Sequence, residues 1–169
     1  MLNIPPFAIF GENIVKYDQI KRSFYFWYFQ MERVSMDVIS ADNFAFIDRI
    51  WADWSPGYDA TWDLAKVKES IGEPSHFQAA IGYYRAMFDP SRQSPDLADE
   101  QAASGQPTPK PTLYLHGRDD GCMLLETVGH PLDFLAPGSD VDIVDKAGHF
   151  LHLERPDVVN PRIVQFLKA

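Results

Sequence analysis

A carboxylate and an imidazole, Asp120 and His149, are the residues of this sequence best suited to acid–base chemistry. Asp120 lies in the segment LYLHGRDDG and His149 in the segment VDIVDKAGH. Each follows a short apolar stretch. A carboxylate that holds an imidazole in one tautomer leaves its other ring nitrogen free to act as a general base. The pair therefore predicts deprotonation of water or of a nucleophile.

The elements around this pair predict an α/β fold class. Apolar runs at 112–115 and 141–144 predict two strands, separated by a weakly helical stretch at 123–135. Asn160 and Pro161 predict the start of a last helix. A strand–helix–strand unit implies parallel neighbours, whose carboxyl ends meet at the same sheet edge. We therefore expect Asp120 and His149 to meet in space.

The rest of the chain predicts a helical region joined to this unit by a linker. Residues 1–13 look like the end of a strand, broken by two prolines. Helical spacing follows, and 20–36 is apolar around its whole circumference, which predicts a helix buried on every side. Residues 89–111 are rich in proline, serine and aspartate, which is typical of an exposed linker.

LHGRDDG followed by AGHFLHLERP resembles the C-terminal end of an α/β-hydrolase. The resemblance implies a partial α/β-hydrolase fold. Residues 1–13 would end a core strand, 14–104 would form a helical cap, and 111–169 would form the C-terminal part of the core. It also implies a nucleophile–acid–histidine triad in which Asp120, rather than Asp119, is the acid and His149, rather than His152, is the histidine.

Two cap segments, RSFYFWYFQ and AAIGYYRAM, resemble those of epoxide hydrolases and related haloalkane dehalogenase-like enzymes. By that resemblance Tyr28 and Tyr84 would donate hydrogen bonds to a substrate oxygen. Phe24, Tyr25 and Trp27 would line a pocket for a small apolar substrate. Aromatic residues at helical spacing are also typical of simple packing, so that alternative stays open for both tyrosines.

The nucleophile is missing from this pattern. It should lie on a G-x-nucleophile-x-G turn ahead of the cap, and none of the serines has glycines two residues to either side. We therefore expect an epoxide-hydrolase-like hydrolase that is inactive as an isolated chain. One alternative is a non-catalytic binding or interaction fragment that retains the cap. Another is a serine-esterase type of hydrolase, because the sequence does not choose between Asp and Ser as nucleophile.

Composition excludes several partners. The net charge of −9 and the scattered basic residues argue against nucleic acid. One cysteine, Cys122, suits a reducing compartment and a buried thiol. With neither a signal peptide nor a membrane span predicted, we expect a cytoplasmic protein. His116, His149, His152 and Asp119 lack the spacing of metal ligands, and we predict no metal and no cofactor.

The sheet poses a stability problem. Two strands at one side of a larger sheet would leave an apolar edge, including Leu113, Leu115, Val141 and Ile143. Unpaired edges promote association. We therefore expect the isolated chain to be partly disordered or oligomeric, or to need a partner or a second copy to cover this edge.

Overall fold

A computed structural model describes residues 1–168 of the chain. At the N-terminus only the first three residues are strand-like. Leu2 pairs in parallel with Leu115, and the amide of Asn3 donates to the carbonyl of Leu115 at 2.9 Å. The prediction of a strand end over 1–13 is therefore wrong beyond Pro6. Helix α1 occupies Phe7–Asn13, because the prolines end the strand and Pro6 immediately precedes the first helical residue.

The region from residue 14 to 104 is helical. Its elements are α2 (Tyr17–Arg22), α3 (Phe24–Tyr28), α4 (Glu32–Trp54), α5 (Thr61–Ile71), α6 (Pro74–Phe88) and α7 (Ala98–Ser104). The single helix predicted over 20–36 is instead three pieces. One break falls at Ser23, whose buried hydroxyl accepts from the amide of Gln19 at 2.8 Å. The apolar segment is thus divided among α2, α3 and the start of α4.

The predicted linker, 89–111, is mostly exposed but not without structure. It contains 3-10 turns at Pro90–Arg92 and Pro95–Leu97, followed by α7. The prolines begin these turns, since a proline fits the first position of a helical turn.

Two parallel strands, β1 (Leu113–Gly117) and β2 (Asp140–Val144), form the sheet, in register from Leu113 opposite Asp140 to Gly117 opposite Val144. The prediction of neighbouring parallel strands is confirmed. β1 lies between β2 and the N-terminal residues. Leu113 and Leu115 are therefore buried, contrary to the expected exposed edge, whereas Ile143 on β2 is 36% exposed.

Short helices complete the C-terminal region: α8 (Leu125–Val128), a 3-10 turn at Pro131–Phe134, α9 (Leu151–Glu154) and α10 (Pro156–Leu167). The prediction that the last helix begins at Pro161 is wrong. Pro156 takes the first helical position, and Pro161 lies inside the helix.

Buried side chains form two clusters. The cap cluster comprises Tyr25, Phe26, Phe29, Ile39, Phe44, Ile50, Phe77, Ile81, Cys122 and Met123. The sheet cluster comprises Leu113, Leu115, Val144, Ala147, Leu151 and Val159. Within residues 1–168, no helix has both the length and the apolar character needed to cross a bilayer.

Candidate active site

Asp120 and His149 lie in contact beyond the ends of β1 and β2. The Asp120 side chain is fully buried, and its Oδ2 lies 3.0 Å from Nδ1 of His149. Its Oδ1 accepts hydrogen bonds from the backbone amides of Cys122 at 2.7 Å and Met123 at 2.9 Å. These two amides fix the carboxylate. Nδ1–H of His149 can then donate to Oδ2, which leaves Nε2 for acid–base exchange.

The environment favours the protonated form of His149. Burial alone would lower the pKa of the imidazole, but hydrogen bonds with Asp120 and with Cys122 outweigh that effect and raise the pKa of His149 to about 10. At neutral pH the imidazole in this chain is therefore an acid. It becomes a base only after it has released that proton.

Backbone contacts tie both loops of the pair to the cap. The carbonyl of Trp54, at the end of α4, accepts from the amides of Gly121 and His149, each at 3.0 Å. From the sheet side, the buried side-chain amide of Asn3 donates to the carbonyls of Gly148 and His149. Two distant segments of the chain, one at Trp54 and one at Asn3, thus converge on the loops that carry Asp120 and His149.

Glu154 holds the loop that carries His149, called the histidine loop below, through hydrogen bonds to its backbone. Its carboxylate accepts from the amides on both sides of His149, Gly148 at 2.6 Å and Phe150 at 3.0 Å. It also accepts from the hydroxyl of Ser55 at 2.7 Å. One carboxylate therefore links the histidine loop to the cap through charge-assisted hydrogen bonds.

Close backbone approach explains two of the glycines. A Cβ at Gly121 would lie 1.8 Å from the carbonyl oxygen of Asp53, and a Cβ at Gly148 would lie 2.5 Å from Cα of Ser55. Both loops pass directly against the last residues of α4 and Ser55, which follows it. Any larger residue at either position would push the loop away from this segment.

The other candidates from the sequence are exposed or have other hydrogen-bond partners, although Nε2 of His116 lies 3.9 Å from Oδ2 of Asp120. His116 is in β1, where its Nδ1 accepts from the hydroxyl of Tyr114 at 2.6 Å and its Nε2–H donates to the carbonyl of Met123 at 3.1 Å. Burial lowers its pKa, so it is neutral. Asp119 and His152 are exposed.

The segment GRDDG is a literal G-x-D-x-G match centred on Asp119, and it lies after the cap rather than ahead of it. A nucleophile turn joins a strand to a helix. Here the segment instead leads from β1 into the loop at 120–124. The position of Asp119 does not fit that role.

The two cap tyrosines that are predicted to donate to a substrate oxygen have different neighbours. Tyr84 packs edge-on against Tyr25, with ring centroids 5.5 Å apart, whereas Tyr28 stacks on Phe46 at 5.7 Å. The hydroxyl of Tyr25 lies 3.4 Å from Sγ of Cys122. Burial raises the pKa of both Tyr25 and Tyr84, so both are phenols at neutral pH.

The three residues predicted to line a pocket have different surroundings. Tyr25 is buried in the cap cluster, against the ring of Trp54 at 5.0 Å. Phe24 is 40% exposed and lines a hollow with Trp54 and Gly121. Trp27 is 38% exposed and stacks on Phe88 at 6.4 Å. Tyr25 is thus linked to the histidine through one intervening ring.

Several neighbours of the pair escaped the sequence analysis. The ring of Trp54 packs edge-on against His149 at 5.1 Å, and Trp51 stacks on Phe150 at 4.0 Å. Their position just before the turn at Ser55 was visible in the sequence, but the contact spans almost 100 residues. No local pattern identifies such a partner.

Comparisons with known proteins assign this chain to a family. The model of the alpha/beta hydrolase family matches residues 29–162, which is most of the chain. Epoxide hydrolase 1 of Caenorhabditis elegans is 27% identical over 172 residues, covering 98% of this chain and 40% of that protein. Epoxide hydrolase 4 of Mus musculus is 25% identical over 175 residues, covering 99% and 46%.

A solved structure from Klebsiella pneumoniae, assigned as an epoxide hydrolase, superimposes with a TM-score of 0.73 at 21% identity. The match covers 98% of this chain and 55% of that one. The chain thus spans less than half the length of the two curated relatives. Its helices and parallel strands are a partial α/β-hydrolase fold. The chain belongs to the α/β-hydrolase family, near the epoxide hydrolases.

Proposed function

We propose that this chain supplies the cap and the acid–histidine pair of an epoxide-hydrolase-like enzyme, with the nucleophile contributed by polypeptide outside the chain. The contact between Oδ2 of Asp120 and Nδ1 of His149 at 3.0 Å carries this proposal. It is supported by the two amides on Oδ1, because they hold the carboxylate in the orientation that the imidazole needs.

In the proposed reaction His149 activates water. Asp120 holds the imidazole with Nδ1–H toward itself and stabilises the imidazolium that forms when Nε2 takes a proton from water. The raised pKa of His149 means that the imidazole must first be neutral, so activity should increase as the pH rises toward about 10. The substrate would be a small, largely apolar molecule, in keeping with the aromatic cap.

Tyr84 and a second cap tyrosine would polarise the substrate oxygen. An alkoxide is a poor leaving group, and a phenol can donate a hydrogen bond or a proton to it. The contact of Tyr84 with Tyr25, and of Tyr25 with Cys122 next to the histidine, favours Tyr25 over Tyr28 as the second donor. Tyr28 instead has the contacts of a packing residue.

Reconstitution tests this function. The chain is co-expressed with the nucleophile-bearing half of an epoxide hydrolase relative, and hydrolysis of styrene oxide and of p-nitrophenyl acetate is followed. We expect epoxide turnover from the mixture and none from the chain alone. Turnover of the ester but not the epoxide by the chain's natural complement would instead indicate the serine-esterase alternative.

Variants assign the roles. His149→Gln should lower kcat by about 100-fold or more, since positioned acid–base groups contribute on that scale. The exposed His152→Gln is the matched control. Tyr25→Phe and Tyr84→Phe should each lower kcat by about 100-fold, and Tyr28→Phe should leave it unchanged. Full activity in His149→Gln would contradict the proposal.

The second candidate is a non-catalytic binding fragment that retains the cap. It is favoured by one observation, that this chain by itself forms a cap with a cluster of buried aromatic rings. Binding of an apolar epoxide or diol by the chain, with no turnover in any reconstituted mixture, would support it. Loss of that binding in Tyr25→Phe would locate the ligand in the cap.

A further inference from the structure

A third chemically active side chain lies at the acid–histidine pair. One ligand atom from each of Asp120, Cys122 and His149 lies within 4.8 Å of the other two. The cysteine is 1% exposed, while the histidine side chain keeps 15% of its surface exposed, so the cluster borders solvent. The sequence predicts no metal site. The fold nevertheless brings together a thiol, an imidazole and a carboxylate.

These three groups match the ligand preferences of one class of ion. Thiolate, imidazole and carboxylate are the donors that Zn²⁺ takes in proteins, in tetrahedral geometry. Two nitrogen or oxygen ligands of such an ion lie about 3.3 Å apart. Nδ1 of His149 and Oδ2 of Asp120 are already 3.0 Å apart. An ion could therefore replace the proton between them after these two atoms shift by a few tenths of an ångström. Sγ of Cys122, which lies within 4.8 Å of both atoms, must approach them to about 3.6 Å.

The charges and protons also balance. The carboxylate and a thiolate together neutralise a divalent cation, which suits a largely buried position. On binding, the thiol of Cys122 and Nδ1 of the His149 imidazolium each release one proton to solvent, and the now neutral imidazole keeps its remaining proton on Nε2. Oδ1 of Asp120 keeps its two backbone amides, so the carboxylate stays oriented while Oδ2 binds the ion.

We propose that Asp120, Cys122 and His149 form a three-ligand site for a soft divalent cation of the Zn²⁺ class, with water as the fourth ligand. The site itself is independent of any catalytic role. Its consequence, that the bound ion withdraws the acid–histidine pair from acid–base chemistry, rests on the function proposed above.

Cobalt spectroscopy on the full chain tests the site directly. Co²⁺ is added to the wild-type chain, and the near-ultraviolet sulfur-to-cobalt charge-transfer band is recorded with the visible bands of tetrahedral Co²⁺. Because the chain has one cysteine, such a band identifies Cys122 as a ligand without any substitution. Addition of Zn²⁺ should remove both sets of bands. Co²⁺ spectra that lack the charge-transfer band would overturn the proposal.

Variants and calorimetry assign the other ligands. Cys122→Ser, Asp120→Asn and His149→Gln should each weaken Zn²⁺ binding by at least about 10-fold. The exposed His152→Gln should bind as the wild type does. Circular dichroism establishes whether each variant is folded. If a variant is not folded, the Co²⁺ spectrum of the wild-type chain alone tests whether the site exists. Zn²⁺ binding lost in His152→Gln but kept in His149→Gln would indicate a surface site and overturn the proposal.

The activity of the reconstituted enzyme separates the site from its consequence. Zn²⁺ should inhibit the wild-type mixture reversibly, and a chelator should restore it. A cobalt–thiolate spectrum without inhibition would refute the inhibitory role and leave the site standing. Absence of turnover in the reconstituted mixture would contradict the proposed function and would not alter the spectral result.

Discussion

The cap cluster and the sheet cluster differ in size, composition and exposure. Within the described residues the cap cluster contains five buried aromatic rings, with further rings packed around it. The sheet cluster is smaller and aliphatic, and its outer strand β2 carries a partly exposed face. The cap is thus enclosed by its own helices, whereas the sheet is covered by α9, α10 and the N-terminal residues.

Two residues of the loop that carries Asp120, called the acid loop below, belong to the cap cluster rather than to the sheet cluster. Asp120 follows β1, yet Cys122 and Met123 are members of the cap cluster. Gln19 of α2 reinforces this, since its side chain donates to the carbonyl of Cys122 at 2.8 Å and accepts from the amide of Leu124 at 3.1 Å. The site therefore depends on packing in the cap cluster, although Asp120 and His149 follow the two strands of the sheet.

The largest expected effect comes from a cavity in the cap cluster. Phe29→Ala should lower the free energy of unfolding by about 3–5 kcal/mol, because it removes a buried ring. Val159→Ala in the sheet cluster should lower it by about 2 kcal/mol. Urea denaturation measures both.

The reactivity of Cys122 shows whether the cavity in Phe29→Ala also loosens the loop that carries Asp120. Labelling of Cys122 by a thiol reagent in the native state should accelerate in Phe29→Ala by more than the loss of global stability explains. In Val159→Ala the labelling should follow global unfolding alone. Equal acceleration in the two variants would mean that the acid loop is not coupled to the cap in particular.

Asp120→Asn probes the boundary between the two regions. The amide presents a donor to Nδ1–H of His149 if its oxygen keeps the two backbone amides, so one interaction must be lost. We expect the free energy of unfolding to decrease by about 2–3 kcal/mol, the scale of a hydrogen bond to a charged group. Asp119→Asn, next to it and exposed, is the control and should change stability by about 0.5 kcal/mol or less.

The same variant should alter the pH dependence. The folded pKa of His149, about 10, lies above its ordinary value of 6.5. Its contribution to stability is therefore fully present below about pH 6.5 and is lost as the pH rises through about 10. Asp120→Asn should lower this pKa, as measured by the imidazole proton shifts in NMR. An unchanged titration would show that the carboxylate is not what raises it.

The sheet and its chemistry could be predicted from sequence because they follow from local rules. Short apolar runs predict strands, a helix between them implies parallel pairing, and parallel strands share an edge. That geometry brings the aspartates at 119 and 120 to the same edge as His149, and the resemblance to α/β-hydrolases selects Asp120 as the acid. The helix boundaries in the cap could not be found in this way. The apolar stretch from Ile20 to Met36 has the same composition whether it forms one helix or three, and only tertiary packing decides.

The supporting residues of the site were beyond prediction for a related reason. Tyr25 and Tyr28 are both in the same aromatic segment, and sequence spacing does not determine which ring meets Tyr84. Glu154, the last residue of α9, is an ordinary charged residue in the sequence, and only the fold places Ser55 against it. Contacts between residues so far apart leave no periodic pattern in the sequence.

Glu154→Gln tests how strongly the histidine loop is held to the cap. A glutamine retains one acceptor oxygen and places an NH2 group near backbone donors, so at least one of three hydrogen bonds is lost. We expect the free energy of unfolding to decrease by about 1–2 kcal/mol. Glu69→Gln, in an exposed pair with Lys66, should change it by about 0.5 kcal/mol or less. In reconstituted enzyme, loss of kcat with unchanged KM would assign Glu154 a positioning role.

The smallest expected effect lies at the outer strand of the sheet. Arg162 of α10 forms ion pairs with Asp140 at 2.7 Å and Asp142 at 2.6 Å, which join the helix to β2. Both carboxylates are substantially exposed, so Arg162→Gln should lower the free energy of unfolding by only about 0.5–1 kcal/mol. The difference between wild type and variant should shrink in about 1 M NaCl, where exposed charges are screened. A difference that persists in high salt would mean that the packed stem of Arg162, rather than its charge, holds β2 in place, and that the sheet region depends on burial as much as the cap does.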